Sequence, residues 1–311
     1  MSRAFALMVP GQGSQRPGMA TNLYRQCRSF ARDVDCVLEL FGAPGLRSDW
    51  LSVNGTIDRP ELAQPLLFAV NWSLCRQVLS SGARPVAVLG HSAGELVVSV
   101  IAGLLDLESA VSILRDRVGD QAELPAGGMI AIAATCEQVT PLLPLDCAIA
   151  AVNSPRQVMV AGAPAGLAAL SAALDASGVI WQQVGSTAPF HSPLMAPEAE
   201  RALEALRSVT FHRPTIPIYS AYTGGRLNDR DAQDPEYWAH HVTNPVLFSQ
   251  AVEALIFDHP AICLLEAGPG QTLTAFAKRN TGVLQGPADA LAVLPDPLSP
   301  HLTDDWKVGL T

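Results

Sequence analysis

The sequence predicts an α/β protein built on a mainly parallel sheet, with a small ferredoxin-like unit inserted into it. Three observations carry this. Short apolar runs alternate with helix-period segments along most of the chain, as strands and covering helices do around a parallel sheet. Between about 126 and 187 the order becomes β-α-β-β-α-β, the ferredoxin-like pattern. Gly90-His-Ser-Ala-Gly94 stands between an apolar run from Val86 and another from Leu96 to Leu105, so a G-x-S-x-G serine sits on a strand-to-helix turn.

The elements follow in order. Ala4–Val9 reads as a buried strand, broken by the glycine- and amide-rich loop Pro10-Gly-Gln-Gly-Ser-Gln15. Residues 23–41 and 66–79 have helical spacing, as does 107–117 after the serine turn. The inserted unit is expected from strands at 129–133, 147–152, 157–161 and 179–184, with helices at 136–143 and 167–176. The chain then returns to the larger pattern. A strand is expected at 216–220, helices at 234–242 and 248–257, a strand at 262–266 and a helix ending near Lys278. The expected division is 1–125 with 188–311 for the larger part and 126–187 for the insert. Patterning assigns no element to 196–206 or to the Pro- and Asp-rich tail after about Val283.

Bulk properties narrow the function classes. The 311 residues are 49% apolar and 16% charged, which fits an ordered, compact chain. A net charge of −9 argues against bulk nucleic-acid binding but leaves room for a local basic patch. The six cysteines have no C-x-x-C spacing and read as free, buried thiols. No metal-ligand cluster stands out, since His240 and His241 are adjacent and diverge on a helix. No secretory leader and no bilayer-length apolar run is read, so a cytoplasmic protein without membrane contact is expected.

Ser92 is the candidate nucleophile. A serine hydroxyl needs a base within hydrogen-bond reach. His191, in a loop flanked by Pro189 and Pro193, is the candidate base, while His91 reads as structural because neighbours at a sharp turn point apart. His212, His240, His241, His259 and His301 have no motif around them. The loop holding Gln12 follows the first strand, at the edge where parallel sheets bind ligands. Its N–H and that of Ala93 form a candidate oxyanion hole. Arg115 and Arg117 lie two positions apart on one helix, so at most one enters a pocket.

Together, Pro10-Gly-Gln-Gly-Ser-Gln15, Gly90-His-Ser-Ala-Gly-Glu95, Arg117, Asn153-Ser-Pro, Phe190-His-Ser192 and Glu266-Ala-Gly-Pro-Gly270 resemble, in that order, the malonyl-CoA:acyl-carrier-protein transacylases and the acyltransferase domains of polyketide synthases. The resemblance runs from about residue 4 to 280. It implies an α/β-hydrolase-like large domain and the ferredoxin-like insert. It implies Ser92 as nucleophile, His191 as base, Gln12 and Ala93 as backbone oxyanion donors, and Arg117 as the grip on a malonyl carboxylate. Asn153 and Phe190 are implied on the substrate side, and Phe190 before the histidine implies malonyl over methylmalonyl.

The implied partners are malonyl-CoA, or another acyl thioester, and the phosphopantetheine thiol of an acyl carrier protein, with no bound cofactor. Arg156, Lys278 and Arg279 are the candidate docking patch for an acidic carrier. Two departures stand out. Leu247 occupies a position where relatives carry glutamine or arginine, and Val118-Gly119-Asp120 replaces a small-basic-apolar run. Two other readings stay open: a trans-acting enzyme of a specialised, polyketide-type pathway moving a different acyl group between carriers, and an acyl-thioester editing hydrolase.

Overall fold

The computed structural model describes residues 3–43, 45–52, 60–119, 124–305 and 307. Asp120, one of the departures above, lies outside them. The described residues form two sheets. The larger has six strands: β1 (Phe5–Val9), β2 (Ala87–Gly90), β7 (Ile218–Ser220), β8 (Gly225–Arg226), β9 (Cys263–Pro269) and β10 (Asp289–Leu294). Their order is β10-β9-β1-β2-β7-β8, and every pairing is parallel except that of β7 with β8. The smaller has β3 (Gly128–Ile132), β4 (Cys147–Ser154), β5 (Gln157–Gly162) and β6 (Trp181–Gln183) in the order β4-β5-β3-β6. That is the antiparallel ferredoxin-like arrangement, so the predicted fold class holds.

The large sheet is covered on both faces, and the two-residue strand period shows it. Phe5, Leu7 and Val9 of β1 pack into one cluster with the helices Arg28–Phe41, Pro60–Ser80, Gly94–Ile101 and Leu107–Gly119. Ala6 and Met8 face the opposite cluster, with Phe248, Val252 and Leu255 of the helix Phe248–Asp258. The small sheet buries Ile130, Val158 and Val160 against Leu167, Leu170 and Leu174 of the helix Pro164–Ala176. Its other face, with Met129, Ala161 and Met159, turns toward the serine.

Four expectations need correction. The helix expected over 23–41 is two helices, Thr21–Gln26 and Arg28–Phe41, because Cys27 is extended at φ −107, ψ 102. The segment 196–206 is a helix, Ala196–Leu206, opened by Pro at its first turn. The tail is not irregular throughout: β10 adds a parallel edge strand beside β9. All six cysteines are free, but only Cys75 and Cys263 are buried, and Cys36 is exposed.

Candidate active site

The site forms where β1 and β2 end. β2 stops at Gly90, and the helix Gly94–Ile101 begins four residues later. Such a tight reversal forces Ser92 into the left-handed region, φ 51. A non-glycine residue there costs about 1–3 kcal/mol and marks a position held by its surroundings. Two glycines permit the crowding. A Cβ on Gly94 would lie 2.1 Å from Val9 O, and one on Gly11 would lie 2.5 Å from His91 O. The loop carrying Gln12 therefore packs directly on the serine turn. Neither the Gln12 nor the Ala93 amide has a hydrogen-bond partner among the described residues. The Gln12 side chain is held by Gln64, whose Nε2 donates to Gln12 Oε1 at 3.1 Å.

Ser92 Oγ lies 2.8 Å from His191 Nε2. His191 is also left-handed, φ 62, and its amide donates to Val242 O at 2.7 Å. Its Nδ1 faces two carbonyls, His241 O at 2.9 Å and Asn244 O at 3.2 Å. Carbonyl oxygens only accept, so Nδ1 carries the proton and Nε2 presents a lone pair to the serine. Burial pushes the His191 pKa down to about 4, the bond to the His241 carbonyl opposes that, and His91 lowers it further. The imidazole is neutral at pH 7.

Arg117 lines the same cavity, and its Nη2 donates to Trp238 O at 3.2 Å. Burial lowers its pKa, while Tyr222 and Glu95 favour its charge. Arg115 also borders the cavity, but its guanidinium is held by Leu40 O and Phe41 O, the last carbonyls of Arg28–Phe41. The two guanidiniums take different acceptors, yet both arginines border the cavity, against the expectation that at most one would. Phe190 lines the cavity and packs on Met129, Ala150 and Ala161. The cavity holds about 740 Å³ and runs from Ser92 along the small sheet to the helix Ala196–Leu206.

Asn153, implied on the substrate side, does not line this cavity. It is 2% exposed on β4, and its Oδ1 lies 2.7 Å from His91 Nε2. It pins His91 and so bears on the serine turn from behind. Arg156, Lys278 and Arg279 are all exposed. Arg279 Nη1 donates to Gln157 Oε1 at 2.7 Å, which draws the distant pair Lys278–Arg279 to the hairpin carrying Arg156. Among the described residues no group of three or more His, Cys, Asp or Glu is placed to hold a metal ion. No described helix is long and apolar enough to cross a membrane.

Sequence reasoning missed a buried polar cluster behind the site. Glu95 is fully buried, accepts from Ser220 Oγ at 2.7 Å, the Ala221 amide at 2.8 Å and Tyr237 Oη at 3.0 Å, and lies 3.5 Å from His241 Nε2. His241 stacks on Tyr222 at 3.9 Å between ring centroids. Burial pushes the Glu95 pKa up to about 7 against those hydrogen bonds. The signal was present: a glutamate next to Leu96-Val-Val98 is a charge in a stretch otherwise fit for the core.

Comparison with known proteins agrees with this fold. The acyl transferase domain model matches residues 7–295. The chain is 34% identical over 294 residues to the phenolphthiocerol synthesis polyketide synthase type I Pks15/1 of Mycobacterium marinum, covering 93% of this chain and 14% of that protein. It is 36% identical over 276 residues to polyketide synthase GfsB of Streptomyces halstedii, covering 86% and 5%. The chain thus spans less than a fifth of the length of these curated relatives. Among solved structures, the acyl transferase domain of SpnD in complex with 2-(pent-4-yn-1-yl)malonyl superposes with TM-score 0.91 at 28% identity, covering 100% of this chain and 78% of that one. FabD of Acinetobacter baumannii gives 0.85 at 28%, covering 94% and 95%. A serine turn, its histidine and a half-buried arginine around one cavity, inside a match of this extent, place the chain in the acyl transferase domain family.

Proposed function

We propose that this acyl transferase domain moves a malonyl group from malonyl-CoA to the phosphopantetheine thiol of an acyl carrier protein, through an ester on Ser92. The observation that carries the reading is the 2.8 Å contact of Ser92 Oγ with a His191 Nε2 that can only accept. His191 takes the serine proton as Oγ attacks the thioester carbonyl. The amides of Gln12 and Ala93, at the positive end of the helix Gly94–Ile101, receive the oxyanion. Collapse breaks the C–S bond, and coenzyme A leaves with the proton from His191. The carrier thiol then gives its proton to His191, attacks the malonyl ester, and Ser92 recovers its proton as it departs. Each step uses protein groups and the two thioesters alone.

In this reading the third member of the usual triad is replaced by carbonyls. His241 O and Asn244 O orient the imidazole, which is why a leucine at 247 is compatible with the chemistry. Arg117 offers two parallel donors to the free carboxylate of the malonyl group. The carrier docks on a patch formed by Arg156 of the 126–187 insert and by Lys278 and Arg279 beside it. Arg117 also favours transfer over editing, since neutral acyl groups have no use for it.

Initial-rate kinetics with malonyl-CoA and a phosphopantetheinylated carrier test this reading. Parallel double-reciprocal lines, with malonyl found on the carrier, are expected. Release of coenzyme A at a rate independent of the carrier would establish hydrolysis instead.

A further inference from the structure

One short stretch of chain bonds both to His191, which meets Ser92, and to Arg117, which lines the same cavity. Trp238 O accepts from Arg117, His241 O and Asn244 O accept from His191 Nδ1, and Val242 O accepts from the His191 amide. The stretch consists of the five-residue helix Pro235–Ala239, the 3-10 turn His240–Val242 and the two residues beyond. Elements this short have little cohesion of their own. Their position comes from what they are tied to.

The tie is Glu95, one turn along the helix from Ser92. Its two oxygens divide the work. Oε1 takes the Ser220 hydroxyl and the Ala221 amide at the end of β7. Oε2 takes the Tyr237 hydroxyl and lies 3.5 Å from His241 Nε2, a buried nitrogen with no hydrogen-bond partner among the described residues. The His241 ring is fixed between Tyr222, stacked at 18°, and Tyr237, edge-on at 85°. The carboxylate therefore joins the nucleophile's helix to the stretch that carries the histidine's acceptors and the arginine's acceptor. A buried carboxylate is costly, and an apolar side chain of that size would fill the space with less penalty. It would not reach across to Tyr237 and His241.

We propose that Glu95 is a positioning residue that holds the 235–244 stretch in register with Ser92, and through it sets both His191 and Arg117. The proposal rests on the roles given to those two residues above. It makes a double demand: loss of the tie must loosen the serine–histidine pair and the carboxylate grip together.

Glu95→Gln keeps the size and one oxygen but removes an acceptor, and Tyr237→Phe removes the hydrogen bond to Oε2, together with the Tyr237 Oη contact to Ser220 Oγ, while leaving Glu95 in place. Two rates are measured per folded molecule. Inactivation by phenylmethylsulfonyl fluoride reports the Ser92–His191 pair and needs no acyl group. The ratio of Ser92 acylation by malonyl-CoA to that by acetyl-CoA reports Arg117. Displacement of a reacting group by about 1 Å costs up to about 100-fold. Both variants are therefore expected to slow sulfonylation by about tenfold or more and to lower the malonyl-to-acetyl ratio, Glu95→Gln more than Tyr237→Phe. A lower melting temperature with both rates within twofold of the parent would overturn the proposal. Should the parent be sulfonylated at Ser92 yet accept no malonyl, the malonyl reading fails, and sulfonylation of the variants still decides the role of Glu95.

Discussion

Ser92 Oγ and His191 Nε2 meet at 2.8 Å, and both residues hold left-handed backbone, φ 51 and φ 62. They come from turns 99 residues apart, on either side of the small sheet. Strain at two non-glycine residues that touch each other is paid back only if the contact matters, and general-base assistance is the use that fits. Replacing His191 with Ala is expected to slow acylation of Ser92 by about 100- to 10,000-fold with the fold retained, measured by stopped-flow release of coenzyme A.

The pH dependence follows from the same pair. Burial holds the His191 pKa near 4, below its value in the unfolded chain, so the neutral base persists well into acid. The acidic limb of Ser92 sulfonylation is expected near pH 4, not near the ordinary histidine value of about 6.5. The sign for stability is the same. The unfolded chain binds the proton first, so this contribution is complete above about pH 6.5 and is lost as pH falls toward 4. A kinetic limb at 6.5 that survives Glu95→Gln would contradict the assignment.

Arg117 is expected to discriminate by charge. Hydrogen bonds to a charged group contribute about 1.5–3 kcal/mol, so Arg117→Ala should lower kcat/KM for malonyl-CoA by about 10- to 150-fold and leave acetyl-CoA nearly unchanged. Lysine should restore little, because it lacks the planar pair of donors. Equal losses for both donors would show that the arginine acts on the fold alone.

Phe190 is half-buried against Met129 and lines the cavity beside His191. Phe190→Ser is expected to raise the methylmalonyl-to-malonyl ratio by about tenfold, within the 1–3 kcal/mol that one methyl group commands. Competition between the two CoA esters, read by the mass on Ser92, measures it. An unchanged ratio would remove Phe190 from the specificity account.

The basic patch makes a different kind of prediction. Charge reversal at Arg156 and Lys278, both exposed, should raise KM for the carrier and flatten its salt dependence while leaving self-acylation untouched. Measuring the two half-reactions separately distinguishes this from a general loss of activity.

Much of this was legible in the sequence because it depends on local pattern. The serine turn is written in two glycines and two apolar flanks, and the small sheet in four short strands with its helix between. The helix Ala196–Leu206 has a readable stripe, with Ala199, Ala202, Leu203 and Leu206 at helical spacing against the core, but Pro193 and Pro197 at its start read as loop. The β10 strand was missed because its neighbours are Pro- and Asp-rich, and only pairing with β9 makes it a strand. Asn153 was placed on the substrate by resemblance, but its side chain turns toward His91, a tertiary choice no spacing reveals. His241 offered no motif because its contribution to His191 is a backbone carbonyl, which every residue possesses.

Intact-protein and peptide mass spectrometry after brief mixing with malonyl-CoA tests the central claim most directly. A malonyl ester on the peptide containing Ser92, lost on addition of phosphopantetheinylated carrier and absent from Ser92→Ala, is the predicted result. A malonyl adduct that persists in Ser92→Ala, or malonyl transfer to the carrier by that variant, would contradict it.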